Sequence, residues 1–222
     1  MKKVTNKLLF SGLTILLILP IAGWLAIFGL EKISNGAQTT LDDFDEIVNK
    51  SRYNIEYVQA QKTAIEVTGN NDLLNNIKAE IINGILEIST GEREIYDDNY
   101  SIKVYSPTCK SITNEGSGVI KCKSLHTNML SVRNESFGSI EISELEISDL
   151  QVYNESLSDI VMENVNANYI HAEKTGIGSI IISGNAQKAD LINKGPSYID
   201  ISRLTCEDVH SESDGVGEIK TR

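Results

Sequence analysis

The sequence predicts an all-β solenoid of stacked 20-residue coils. Three observations predict it: an isoleucine that recurs about every 20 residues, a second apolar residue two places after it, and Gly-x-Gly pairs that open several of the units. In steps of twenty the chain reads NEGSGVIKCKSLHTNMLSVR (114–133), NESFGSIEISELEISDLQVY (134–153), NESLSDIVMENVNANYIHAE (154–173) and KTGIGSIIISGNAQKADLIN (174–193). KGPSYIDISRLTCEDVHSES follows, slipped by one residue, and the chain ends in DGVGEIKTR. The recurring isoleucine is Ile120, Ile140, Ile160, Ile180, Ile199 and Ile219, at spacings of 20, 20, 20, 19 and 20.

Within each unit, Cys122, Ile142, Met162, Ile182, Ile201 or Thr221 lies two places after the isoleucine, and Leu125, Leu145, Val165 or Leu204 five places after it. Leu130, Leu150, Ile170 and Val209 come at ten, with Leu191 at eleven, and Val132, Val152 and Ala172 come two places later. Apolar residues at i and i+2 point to one face of a strand, so each unit reads as two short strands, a paired ten-residue half-coil. One unit cannot bury its own apolar face, so neighbouring units must cover it. Strands ~4.8 Å apart would set each isoleucine on the next as a column. The corners Gly116/Gly118, Gly176/Gly178 and Gly215/Gly217 suit a turn that needs positive φ. Ser-Leu-Ser-Asp at 156–159 departs from that corner pattern. Tyr100, Ile102 and Ile112 lie 20 residues before Ile120, Cys122 and Val132, extending the solenoid over 96–222, about six coils or roughly 25–30 Å.

Residues 44–95 predict an antiparallel β meander. Ile47-Val48, Ile55 with Tyr57, and Ile65 with Val67 are short β-branched or aromatic runs separated by polar clusters. In KAEIINGILEIS (78–89), Asn83-Gly84 marks a type I′ hairpin, because both residues tolerate positive φ. That turn sets Ile81 opposite Leu86, Ala79 opposite Ile88 and Glu80 opposite Glu87. Residues 31–43 are polar and read as a linker.

Residues 8–30 form a run of 23 uncharged, mostly apolar residues, enough for a helix across ~30 Å of hydrocarbon. Lys2, Lys3 and Lys7 precede it, which assigns residues 1–7 to a cytoplasmic tail, and Trp24 suits an interfacial anchor. The remainder is then exported, either tethered to the inner membrane with a periplasmic or extracellular domain, or secreted if the segment is a cleaved signal. The run exceeds the usual signal core, and Asn35-Gly36-Ala37 is a poor cleavage site.

The order of these features resembles the head GIN domain family of auto-transporter adhesins. The features are the meander ending in INGILEI (82–88), VYSP (104–107) and the Gly-Ser-Gly turn at 116–118 with its later echoes. The resemblance covers residues 44–220. It implies a two-sheet, right-handed parallel β-helix similar to pectin-lyase-like solenoids, an adhesive role, and no catalytic residues.

The net charge is −11, and residues 35–222 hold 16 of the 20 basic and 30 of the 31 acidic residues, a net of −14. Such a domain does not bind nucleic acid through phosphates and is repelled by anionic lipid headgroups. Cation-bridged or carbohydrate contacts remain open. Cys109, Cys122 and Cys206 match no zinc spacing, and a Cys109–Cys122 pair competes with a core position for Cys122. His171 and His210 are two coils apart, ~10 Å, too far to share a metal, and His126 stands apart from both. Asp42, Asp43 and Asp45, and Asp97 and Asp98, match no calcium loop and read as solvated runs. Gly176-Ile177-Gly178 lacks the third glycine and the helix of a dinucleotide fingerprint. Asp208, His210 and Ser211 offer the residue types of a triad without a nucleophile elbow. Asn49, Asn99, Asn134 and Asn154 begin formal glycosylation sequons, but a repeat position explains Asn134 and Asn154 as turn residues able to form a ladder.

No catalytic, cofactor or metal site is therefore expected. The expected function is a non-enzymatic binding module for an unknown carbohydrate or envelope protein, tethered through residues 8–30 and able to associate end to end. One alternative is a pectin-lyase-like enzyme acting on polysaccharide. It would need clustered carboxylates with a base, whereas Glu135, Glu141, Glu144, Glu146 and Glu155 are scattered and Arg133 and Arg203 are the arginines of the coils. Another is an envelope-sensing ectodomain, against which the short N-terminal tail argues.

Overall fold

A computed structural model of the chain describes residues 35–91 and 99–222. The expected tail and membrane segment, residues 1–30, lie outside them, as do Asp97 and Asp98. Among the described residues no helix is long and apolar enough to cross a membrane.

Strands β1 (Gln38–Thr40), β2 (Glu46–Asn49), β3 (Ile55–Gln59) and β4 (Ala64–Thr68) precede a single-turn helix α1 (Asn71–Asn76). Asn70 caps α1, its Oδ1 accepting from Leu73 N at 2.8 Å, and Leu73 is buried beneath it. Strands β5 (Ile77–Ile82) and β6 (Ile85–Thr90) form the hairpin in the expected register, with Ile81 opposite Leu86 and Ala79 opposite Ile88. Asn83 and Gly84 take φ of 55° and 82°, as a type I′ turn requires. The linker is shorter than the composition implied, because β1 pairs with β4 and Leu41 and Phe44 are buried.

The stack itself is built by β7 (Ser101–Ser106), β8 (Ser111–Asn114), β9 (Ile120–Cys122), β10 (Leu125–Asn134), β11 (Ile140–Ile142) and β12 (Leu145–Asn154). It continues through the longer β13 (Ile160–Lys174), β14 (Ile180–Asn193) and β15 (Ile199–Ser213) to β16 (Ile219–Lys220). The isoleucine column is continuous and parallel: Ile120, Ile140, Ile160, Ile180, Ile199 and Ile219 pair in that order. Every one but the last is fully buried.

The meander expected over 44–95 is corrected in its first half. Strand β2 pairs in parallel with both β6 and β8, and β3 in parallel with both β7 and β9. Residues 46–59 thus form a rung of the solenoid, inserted between rungs that come later in the sequence. Ile120 stacks on Ile55 and Cys122 on Tyr57, with Val104 beyond Tyr57, so the step of twenty back to Tyr100 and Ile102 fails. The step from Val132 to Ile112 holds. The chain passes the inserted rung through residues 107–110, where Lys110 N donates to Asp45 O at 2.6 Å and the two side chains form an ion pair. Antiparallel pairing survives at the edges, β1 with β4, β4 with β7 and β5 with β6.

Each coil carries three inward pairs where the sequence suggested two strands. In β13 they are Ile160 and Met162, Val165 and Ala167, and Ile170 and Ala172, all buried. Alternation steps by three between pairs, which bends the strand and turns the coil. The fifth-place residue therefore starts a face of its own, with Leu125 on Leu145 and Thr127 on Ile147. The one-residue slip lies earlier than the pattern suggested. Val165 pairs with Gly184 across a bulge in which Asn164 has φ of 48° and Gly184 φ of 130°. Ala189 consequently fills the Ile170 column, and Leu191 stacks on Ala172.

The corner glycines are present for a different reason from the one expected. Positive φ occurs in glycine only at Gly36, Gly84 and Gly184 among the described residues. At the corners the constraint is close approach: a Cβ on Gly178 would lie 1.9 Å from Ser158 O, and one on Gly217 1.8 Å from Ser197 O. Beside this corner runs a column of buried asparagines, Asn49, Asn114, Asn134, Asn154 and Asn193, interrupted by Lys174. Asn154 Nδ2 donates to Ser158 O at 3.0 Å and to Ser179 O of the next coil at 2.9 Å, while its Oδ1 accepts from Ser156 N and Oγ. The amide thereby closes its own turn and ties it to its neighbour. At 156–159, serines replace the glycine geometry, with Ser156 Oγ to Ser158 O at 2.7 Å and Ser158 Oγ to Phe137 O at 2.6 Å.

Candidate functional site

Strand alternation that buries Leu150, Val152, Ile170 and Ala172 turns the residues between them outward. Parallel register then arranges the outward residues of β10, β12, β13, β14 and β15 in three adjoining rows. The first is Met129, Asp149, Tyr169, Lys188 and Asp208. The second is Ser131, Gln151, His171, Asp190 and His210, and the third begins Arg133, Tyr153, Glu173. The Arg133 guanidinium lies over the Tyr153 ring at 4.6 Å, and Tyr153 and His171 meet at 5.8 Å between centroids. Tyr169 Oη donates to Asp190 Oδ2 at 2.7 Å, with Lys188 Nζ 3.4 Å from the same carboxylate. That hydrogen bond pushes the Tyr169 phenol up to about 12 and holds Asp190 below the ordinary carboxylate value.

The result is a flat, half-exposed platform of two tyrosines and a histidine, bordered by guanidinium, amide, ammonium and carboxylate groups. A small cavity of about 200 Å³ opens beside it, lined by Arg133, Tyr153, Glu155, Glu173 and Thr175. A larger groove of about 510 Å³, lined by residues including Asn54, Tyr100, Lys121 and Glu141, lies by the β3 and β9 strands. Its Lys121 and Glu141 are already paired at 3.0 Å, and Tyr100 Oη accepts from Asn54 N at 2.9 Å.

The structure distributes the other sequence candidates. Asp190 separates His171 from His210 in one row, and His126 pairs with Glu146 on a different face. Among the described residues no group of three or more His, Cys, Asp or Glu side chains could hold a metal ion. Asp45 is engaged by Lys110, and Asp43 accepts from Thr63 Oγ1 at 3.1 Å. Ser211 pairs with the inward Leu191, whereas Asp208 and His210 belong to the outward rows, so the three do not converge. Gly176 and Gly178 are corner residues packed on Ser156 and Ser158. Asn49, Asn134 and Asn154 are buried, which withdraws those three sequons from modification of the folded chain. Cys109 and Cys122 are buried free thiols. The tyrosine platform was not anticipated; the signal was present in Tyr153, Tyr169 and His171, which fall between core positions of adjacent repeats.

A family model described as "Putative auto-transporter adhesin, head GIN domain" matches residues 43–222. Among solved structures, a "putative adhesin" from Bacteroides fragilis is similar, with a TM-score of 0.68 and 22% identity over 84% of this chain and 95% of that one. A "Putative lipid binding protein" from Parabacteroides distasonis covers the same shares at TM-score 0.69 and 15% identity. A "putative adhesin" from Parabacteroides merdae does so at 0.53 and 18%. These likenesses concern the fold. No curated protein matches the chain.

Proposed function

The chain belongs to the auto-transporter adhesin, head GIN domain family, and from that premise we propose that it is a non-enzymatic binding module of the cell envelope that engages carbohydrate through the tyrosine platform. The single observation that carries this reading is the contact series Arg133–Tyr153–His171, across two adjoining rows, beside the Tyr169–Asp190 pair. A sugar ring has an apolar C–H face and a rim of hydroxyls. Half-exposed aromatic rings take the first, and planar guanidinium, amide and carboxylate groups take the second with two hydrogen bonds each. A polymer laid along the rows meets aromatic, amide and charged groups in turn, one rung after another. Membership in this family favours an envelope or surface setting, and the apolar segment at 8–30 supplies the tether.

The acidic surface is compatible with this reading and speaks against a polysaccharide-cleaving enzyme. Several exposed carboxylates of the coils face a base, as Glu155 faces Arg133 at 2.8 Å and Glu173 faces Lys194 at 2.6 Å. A glycan array probed with the full chain tests the proposal. Saturable binding that is lost in Tyr153→Ala and Tyr169→Ala is the expected result. Binding unchanged in both variants overturns the assignment of the face, and release of shortened product overturns the non-enzymatic reading.

A further inference from the structure

The corner of each coil places one residue at its tip, between the two positions that pack on the preceding coil. Those tips are Arg52, Ser117, Phe137, Leu157, Ile177, Pro196 and Val216. Their alignment follows from the corners themselves: Gly118 packs on Tyr53, Gly138 on Gly118, Gly178 on Ser158, Gly195 on Gly176 and Gly217 on Ser197. Ser158 Oγ donates to Phe137 O and Leu157 N to Ser136 O, joining the two coils between. Five successive tips are therefore apolar, in a line four coil steps or about 19 Å long. Phe137 is 66% exposed, Leu157 51%, Ile177 59% and Val216 92%. Four of the six large apolar side chains most exposed among the described residues share this one position. The fold does not demand it, since the same corner accepts Arg52 and Ser117.

We propose that this line of tips, Phe137 to Val216, is a membrane-contacting ridge that seats the solenoid on a bilayer of neutral, zwitterionic lipid. A convex row of single side chains on short turns has the form of a wedge into the headgroup and acyl boundary, not of a groove for a peptide. Two places before the tips from Ser117 onward stand Glu115, Glu135, Glu155, Thr175, Lys194 and Asp214, all exposed. Four carboxylates against one ammonium would oppose each other if two copies met ridge to ridge, and would be repelled by anionic headgroups. Neutral lipid carries neither penalty. On the tethered reading proposed above, the chain also holds the stack, at strand β1, near such a surface. Only residues 31–37 separate the apolar run ending at Leu30 from strand β1, a reach of at most about 25 Å.

The test uses the full chain with Trp24→Phe, which removes the single native tryptophan, reconstituted through residues 8–30 into phosphatidylcholine vesicles whose acyl chains carry bromine. Ile177→Trp is the reporter, Val216→Trp the second reporter should the first not fold, and Gln187→Trp the exposed control away from the ridge. The expected result is a blue-shifted ridge emission quenched about two-fold by the brominated lipid, with the control unquenched. The quenching should fall when half the lipid is phosphatidylglycerol. Ridge emission that matches the control overturns the proposal. So does a blue shift that rises with protein concentration and is indifferent to bromine, because that outcome assigns the ridge to a second copy of the chain.

Discussion

Lys174 stands in register with Asn154, inside a column otherwise made of asparagine, and its side chain is wholly withdrawn from solvent. Its Nζ donates to Gly176 O at 2.7 Å, doing with one ammonium part of what Asn154 does with an amide. The amide both donates and accepts; the ammonium only donates. Burial lowers the Lys174 pKa below its ordinary value of 10.5, opposed by the nearby Asp159 carboxylate.

Lys174→Asn should therefore stabilise the fold by about 1 kcal/mol at pH 7. The unfolded chain binds the Lys174 proton more tightly than the folded one, so wild-type stability rises with pH between the folded pKa and 10.5. The advantage of the variant should accordingly shrink as pH approaches 10.5. Urea melts at pH 7 and pH 10 measure both effects. A variant less stable than wild type, or a gap that does not change with pH, contradicts this account.

Asn154→Ala should cost about 3 kcal/mol, since it strands two carbonyls and the Ser156 donors in the interior. Asn134→Ala should cost less. Asn134 Oδ1 is buried with no partner, so its removal relieves a desolvated acceptor while losing the Nδ2 bonds. Equal losses in denaturant melts would argue against the bonding scheme.

Much of this fold was legible in the sequence, and particular residues show why the rest was not. The isoleucine column and the Asn83-Gly84 register depend on local spacing, which a linear reading captures. The insertion of Tyr57 between Val104 and Cys122 is topological: the alternation of Ile47, Ile55 and Tyr57 fits a meander and a solenoid rung equally. The bulge at Asn164 shifted Leu191 by one column, because a one-residue deletion has no signature until its partner strand is known. The tyrosine platform and the corner tips were readable in spacing only once the inward positions had been fixed, since both are defined by what lies between core residues.

Native-state thiol titration should count one reactive cysteine per chain at pH 8, and three in denaturant. Burial pushes the Cys122 thiol up to about 12 and the Cys109 thiol higher still, and both side chains are covered. Cys206 is partly exposed and is the one expected to react. Two missing thiols in denaturant would instead reveal a Cys109–Cys122 bridge.

Gly178→Ala should destabilise the solenoid by about 3 kcal/mol although its φ is ordinary, because the added Cβ meets the Ser158 carbonyl of the previous coil. Gly84→Ala tests the contrast. Nothing lies within 4 Å of its Cβ, and its φ of 82° makes the cost purely conformational, about 1 kcal/mol. Thermal melts that rank Gly84→Ala as the more damaging substitution would restore positive φ as the reason for the corner glycines.

The Tyr169–Asp190 pair makes the platform responsive to pH, and the sign is fixed by the direction of each shift. Asp190 titrates below its ordinary value of 3.8, mainly because the Tyr169 hydroxyl donates to it, with Lys188 assisting. A carboxylate depressed in the fold adds stability that is fully present above 3.8 and disappears as pH falls through the folded value. The pair is largely solvated, so the contribution is small, but the titration itself is measurable. Tyr169→Phe should raise the Asp190 midpoint in a carboxyl NMR titration. Asp190→Asn should lower the Tyr169 midpoint from about 12 toward 10, read by phenolate absorbance. Both shifts should appear together, since one hydrogen bond produces them. If the phenol moves while the carboxyl does not, Lys188 rather than Tyr169 governs Asp190, and the platform loses the coupling between its ring and its carboxylate.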